Sequence, residues 1–188
     1  EFEVSSSTKA TFLDVRLETK EKQNIRWVFE GAKSLPGNKK AFILKAIATG
    51  KITYLKKGGG FLLFSSIDEG CKLSASYTSE TAGFGYFYIK NREQQRENTL
   101  ENLQILGAGI DAEPFKRTNF SFHLFNYTLN QPLKGEDKIG REIDVGISHI
   151  YSENLFLRFV FSIFTPQTAY VENGKKVRQL FLETKLYF

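Results

Sequence analysis

Apolar and polar residues alternate with a period of two along most of this chain. Such alternation marks strands with one face in an apolar environment and the other in a polar one. In the last stretch, Lys176 to Phe188, Leu180, Leu182, Thr184, Leu186 and Phe188 share one parity and Gln179, Phe181, Glu183, Lys185 and Tyr187 the other. Upstream, apolar sides are formed by Thr11, Leu13, Val15 and Leu17, by Ile25, Trp27 and Phe29, and by Phe42, Leu44, Ala46 and Ala48 continuing to Ile52 and Tyr54. Gly50 in that last run is a candidate bulge. Phe61 to Ile67 is mostly apolar, and shorter runs follow at Leu73 to Tyr77 and Phe84 to Tyr88. The pattern sharpens at Leu106, Ala108 and Ile110, at Phe120, Phe122 and Leu124, at Ile143, Val145 and Ile147, and at Leu155 to Ile163.

Turn chemistry separates these runs. Loops or turns are predicted at Gly31 to Lys40, at the three-glycine stretch Lys56 to Gly60, and at Asp68-Glu69-Gly70. Others are predicted at Pro114, Asn130 to Lys138, Tyr151 to Asn154 and Thr165 to Lys175. The polar run Asn91 to Asn102 has Leu100 as its only apolar residue, so it offers no face to bury and reads as a long exposed loop. Eleven clear strands remain, with a further one at Phe2 to Ser6 bringing the count to twelve, or ten if short segments fuse. No helical period intervenes, so the expected class is all-β, an up-and-down antiparallel barrel of about 10–12 strands. Residues 1–188 form one domain on this reading, complete or part of a larger barrel.

Alternation does not say which face looks outward. A soluble, lipocalin-like barrel turns its apolar side in; a membrane barrel turns it out. The polar sides here carry small groups (Ser74, Ser76, Gly83, Gly85, Gly107, Gly109, Gly146, Ser148, Ser162), which suit a crowded interior better than an aqueous surface. Tyr54, Tyr77, Tyr88, Tyr151 and Tyr187 stand near strand ends, where an interfacial girdle needs amphipathic rings. The closing stretch has the length a strand needs to cross a bilayer. These features predict a transmembrane barrel.

Composition narrows the picture further. Hydrophobic residues are 41% and charged residues 25%, too polar for a helical membrane protein. The best apolar run, Ala41 to Gly50, is interrupted by Lys45. Phenylalanine is abundant at 18 residues, with 8 Tyr, as strands and membrane interfaces favour. The single cysteine, Cys71, permits neither an intrachain disulfide nor a cysteine metal cluster. The net charge of +5 is scattered, so no nucleic-acid partner is expected. No leader pattern opens the sequence, which predicts a signal peptide already removed or never present. No cofactor or metal is expected.

With the apolar side outward, the interior receives Arg16, Arg26, Lys45, Lys51, Lys72, Arg158 and Lys185, balanced by Asp14, Glu18, Glu30, Asp111, Glu142, Asp144 and Glu183. Such a set either orients a solute in a polar pore or fills a narrow barrel with salt bridges. The excess positive charge then falls to loops and turns, at Lys33, Lys39, Lys40, Lys56, Lys57, Lys175 and Lys176. His123 shares a face with Ser121, and Asp144 or Glu142 could complete an activated-nucleophile arrangement. His149 falls on the lipid side near a strand end. No nucleophile elbow, P-loop or zinc pattern is present, and an enzyme is not expected.

The closing strand, with apolar residues at every second position before Phe188, resembles that of bacterial outer-membrane barrels. The resemblance implies that Leu180, Leu182, Leu186 and Phe188 form the signal read by the barrel-assembly machinery. More widely, Gly140, Glu142, Ile143 and Asp144, then Tyr151, Asn154 and Leu155, then Phe164 and Pro166 form a pattern similar to the C-terminal hairpins of the alginate-export family of outer-membrane porins. That resemblance implies a passive channel or exporter for a hydrophilic solute, anionic solutes included. The chain is much shorter than the family's large barrels, and its interior charge is balanced rather than cationic. The alternative is a non-conducting barrel that anchors or binds a component of an envelope or secretion assembly. Expected partners are outer-membrane lipid, lipopolysaccharide and an envelope protein.

Overall fold

The computed structural model describes residues 6–7, 10–18, 25–35, 40–52, 55–69, 73–74, 99–100, 102–133, 135–169 and 174–186. The strands are β1 (Ser6–Ser7), β2 (Ala10–Glu18), β3 (Ile25–Leu35), β4 (Lys40–Ile52), β5 (Leu55–Ile67), β6 (Leu73–Ser74), β7 (Thr99–Leu100), β8 (Leu103–Phe115), β9 (Thr118–Leu133), β10 (Glu136–Ser152), β11 (Leu155–Pro166) and β12 (Val177–Leu186). Ten of them form one sheet in the order β1-β2-β3-β4-β5-β8-β9-β10-β11-β12, while β6 and β7 pair separately. Every neighbouring pair is antiparallel, so the architecture is all-β and up-and-down.

Several strands outrun their sequence pattern. The glycines of Lys56 to Gly60 lie inside β5, paired with β4 and β8, and are not a turn. Backbone pairing there does not need side chains, which is why a turn-like composition could be strand. Pro114 does not break β8; it sits where the register shifts between Ala112 and Phe115, a place where no ladder N–H is required. Asn130 to Leu133 continue β9 and Glu136 to Lys138 already belong to β10, leaving residues 134–135 as the connection. Gly50 does mark an irregularity, the shift between Gly50 and Ile52. Of the run expected at Phe2 to Ser6 only Ser6, in β1, is described; the run at Phe84 to Tyr88 and most of Asn91 to Asn102 lie outside the described residues.

The two ends of the sheet differ. Strands β3, β5, β9 and β11 finish at one end of the sheet, where β4, β8, β10 and β12 begin, and β2, β4, β8, β10 and β12 finish at the other. The first end carries the two longest separations in sequence, from β5 to β8 and from β11 to β12, and is the long-connection end. The β8–β9 turn shows why two residues suffice. Arg117 takes a left-handed φ of 65°, its N–H donates to the Glu113 carboxylate at 3.1 Å, and its carbonyl accepts from Ile150 N–H at 2.9 Å.

One face of the sheet is buried and the other exposed, with the apolar parity outward. Leu62 is 67% exposed, Ile110 62%, Leu180 68% and Leu182 64%, whereas Leu63, Ser65, Glu142 and Ser162 on the opposite parity are at or below 1%. Aromatic rings on the buried face lie over glycines of the next strand. A side chain at Gly107 would meet the Phe125 ring, one at Gly109 would meet Phe61 and His123, and one at Gly140 would meet Phe164. Substitution Gly109→Val should therefore lower stability by about 1–3 kcal/mol in urea unfolding, through displacement of the Phe61 ring. Adding Phe61→Ala to that variant should recover part of the loss.

Candidate functional site

Register lays the buried face out in rows that run across the strands. Nearest the end with the long connections are Ile67 and Leu103, then Ser65, Ile105, Tyr127 and Gly140, then Leu63, Gly107, Phe125, Glu142 and Phe164. Phe61, Gly109, His123, Asp144, Ser162 and Gln179 form the middle row. Toward the short-turn end follow Asp111, Ser121, Gly146, Val160 and Phe181, and then Asn119, Ser148, Arg158 and Glu183. The face thus splits into an aliphatic and aromatic half and a polar, charged half.

The first half is tightly packed. Phe125 stacks on Tyr127 with centroids 6.2 Å apart, and Tyr127 lies 6.4 Å from Phe164 across two strands. Phe125 also lies 6.3 Å from Phe61, whose ring meets His123 edge-on at 5.0 Å. Tyr127, Ile67, Ile105 and Phe164 are fully buried. A carboxylate in such surroundings is tolerable only when hydrogen-bonded. Accordingly Tyr127 Oη donates to Glu142 at 3.0 Å, and Ser162 Oγ donates to Asp144. In the charged half, His123 Nε2 meets Asp111 Oδ1 at 3.3 Å, while Arg158 and Lys185 approach Glu183 at 3.9 and 3.5 Å. Lys45 stands 4.7 Å over the Phe61 ring.

Of the interior charges expected from the sequence, Asp111, Glu142, Asp144, Arg158, Lys45 and Lys185 therefore lie on one face. Their surroundings differ: Glu142 and Asp144 are 1% and 2% exposed, whereas the Lys185 side chain is 52% exposed. For Arg16, Arg26 and Lys51 the backbone alone is described, with Arg16 opposite Glu30 and Arg26 opposite Ile47. Lys72 lies outside the described residues. The acid beside His123 is Asp111 from β8; Glu142 and Asp144, on β10, bond to Tyr127 and Ser162 instead. His149 takes the outward parity, where its Nδ1 and Thr118 Oγ1 are 2.8 Å apart, next to the exposed Tyr151.

The residues that sequence reasoning missed are the rings. Phe61, Phe125, Tyr127 and Phe164 sit on the side expected to be polar, and the available signal was their placement opposite glycines. The Gly140, Glu142, Asp144 pattern acquires a local explanation too: Gly140 admits the Phe164 ring, and the two acids accept hydroxyl donors from β9 and β11.

Among the described residues no group of three or more His, Cys, Asp or Glu could hold a metal ion, and no helix is long and apolar enough to cross a membrane, which says nothing of strands. No family model matches the chain, and no curated protein is significantly similar to it.

Removing the hydroxyl in Tyr127→Phe should cost about 1.5–3 kcal/mol, since it leaves a buried carboxylate with one donor fewer. In urea unfolding, combining it with Glu142→Gln should show a coupling energy; strict additivity of the two changes would remove this role for the pair.

Proposed function

We propose that the sheet closes into an outer-membrane β-barrel whose interior is filled on the long-connection side, and that it serves as an anchor or partner-binding component of the envelope. The observation that carries this is the inverted burial. The exposed face is a band of large apolar side chains, far beyond the scattered apolar residues of an ordinary soluble surface. On β10 the band runs from Ile143 to Tyr151, a span of about 27 Å along the strand, or roughly 20 Å at a barrel's usual tilt, which is most of the height of an outer-membrane barrel's apolar band.

Two further features support the setting. Outer-membrane barrels have short periplasmic turns and longer outer loops, and the long connections here gather at one end. The closing strand finishes at the other, with the short turns. The near-zero exposure of Tyr127, Glu142, Ser162 and Phe164 favours a filled interior over an open conduit. The charged half, with Arg158, Glu183 and Lys185 partly exposed, would then face the short-turn side as a shallow vestibule.

The second reading is the channel for a hydrophilic solute, with Arg158, Glu183, Lys185, Asp111 and Lys45 orienting it. The similarity of the Gly140 to Pro166 pattern to alginate-export porins favours it. Planar-bilayer recordings separate the two. The filled barrel should give no defined conductance steps, and regular open steps from the pure protein would replace it with the channel.

The membrane setting is tested independently. In detergent gels the unheated protein should migrate differently from the boiled one. Val145→Arg, on the middle row of the apolar face, should cost about 2–4 kcal/mol of stability in lipid vesicles. A freely soluble protein for which this substitution is neutral would overturn the setting.

A further inference from the structure

The outward face changes character at its long-connection edge, and it does so differently across the sheet. On β5, β8 and β9 the edge is an amide and hydroxyl network that ends on the carboxylate of Asp68 and carries no cation. Gln104 Nε2 donates to Asn130 Oδ1 at 2.6 Å, Ser66 Oγ to the same oxygen at 3.1 Å, and Asn130 Nδ2 to Asp68 at 3.1 Å. On β10 to β12 the edge is cationic. Arg141 pairs in register with Thr165, Lys176 stands one residue before the Val177 that pairs with Phe164, and Arg178 pairs with Ile163 in the row of Ile143. All three cations are exposed, and among the described residues neither Arg141 nor Arg178 is ion-paired. Among the described residues the exposed acids nearest in sequence to Arg141, Glu136 and Asp137, lie beyond the register shifts at Lys138.

Directly below the cations the wall is apolar: Ile143 and Val145 on β10, Phe161 on β11, Leu180 and Leu182 on β12. At the opposite edge the same strands present His149, Tyr151, Thr184 and Leu186 on the outward parity, without a cation. Adjacent strands are about 4.8 Å apart, so cations on β10 and β12 stand about 10 Å apart across the sheet. Arginine and lysine stems can lie along apolar surface while their heads reach the polar boundary.

We infer that Arg141, Lys176 and Arg178 form a docking site for a phosphorylated lipid, with phosphate on the cations and an acyl chain against the wall beneath them. Charge complementarity chooses this occupant. A neutral lipid leaves exposed guanidiniums without partners, and a soluble anion leaves the apolar wall uncovered. Guanidinium and phosphate form paired, charge-assisted hydrogen bonds. The inference builds on the proposed membrane setting and adds to it a side: the phosphorylated lipid belongs to the leaflet next to the long connections.

The full chain is refolded into phosphatidylcholine vesicles, alone and doped with phosphatidic acid, and the lipid retained after gentle detergent extraction is measured by native mass spectrometry. Wild type should fold into both and retain phosphatidic acid preferentially. Arg141→Gln with Arg178→Gln should fold equally well into neutral vesicles yet lose roughly five-fold of that preference for each cation removed. Equal retention of the two lipids by folded wild type, or an undiminished preference in the double variant, overturns the site and leaves the membrane setting intact. Failure to fold into either vesicle overturns both. Displacement of the lipid by inorganic phosphate alone would assign the cations to a soluble anion and overturn the lipid.

Discussion

The structure depends on how rings on the buried face fit the gaps left by glycines on the adjacent strand. Phe125 lies over Gly107, Phe61 over Gly109 and Phe164 over Gly140, which interlocks β5, β8 and β9 and, separately, β10 and β11; Tyr127, against Glu142 and Phe164, joins the two sets. A slip of one residue would put a ring on a filled position and turn every apolar side chain to the wrong face. The fit therefore sets register, and register sets which parity faces out.

That packing decides the chemistry available on the buried face. Two carboxylates, Glu142 and Asp144, are held among rings and hydroxyls and spend hydrogen-bonding capacity on Tyr127 and Ser162. Farther toward the short turns, Arg158, Glu183 and Lys185 keep contact with solvent, and their ion pairs contribute little to stability. The same side of one sheet is thus a dry core over one half and a charged surface over the other. This division is why the barrel proposed above is a filled one with a shallow charged mouth and not a through-going pore.

The outward face obeys a complementary constraint. Its middle rows are aliphatic and aromatic, and its long-connection edge turns polar at the level of Asn126 and Arg141, which are register partners. A band bounded in this way separates two polar zones, as a bilayer does. Cations on β10 and at the start of β12, and an amide network ending on Asp68 across β5, β8 and β9, make the edge chemically uneven.

The sequence by itself determined the strand class, the antiparallel meander and the parity of Leu180, Leu182, Ile143, Val145, Phe120 and Phe122, because alternation is a local property of the backbone. It also pointed to the bulge at Gly50. It misread Lys56 to Gly60, Pro114 and Asn130 to Leu133 as breaks, since turn-forming residues do not reveal whether a neighbouring strand supplies their hydrogen bonds. Only tertiary structure decided that the His123 ring meets the Asp111 carboxylate while Asp144, its register partner, accepts from Ser162, and that Phe61, Phe125, Tyr127 and Phe164 fill the side expected to be polar. Those outcomes depend on register between strands distant in sequence, where a ring is stable on either face and the glycine across from it settles the choice.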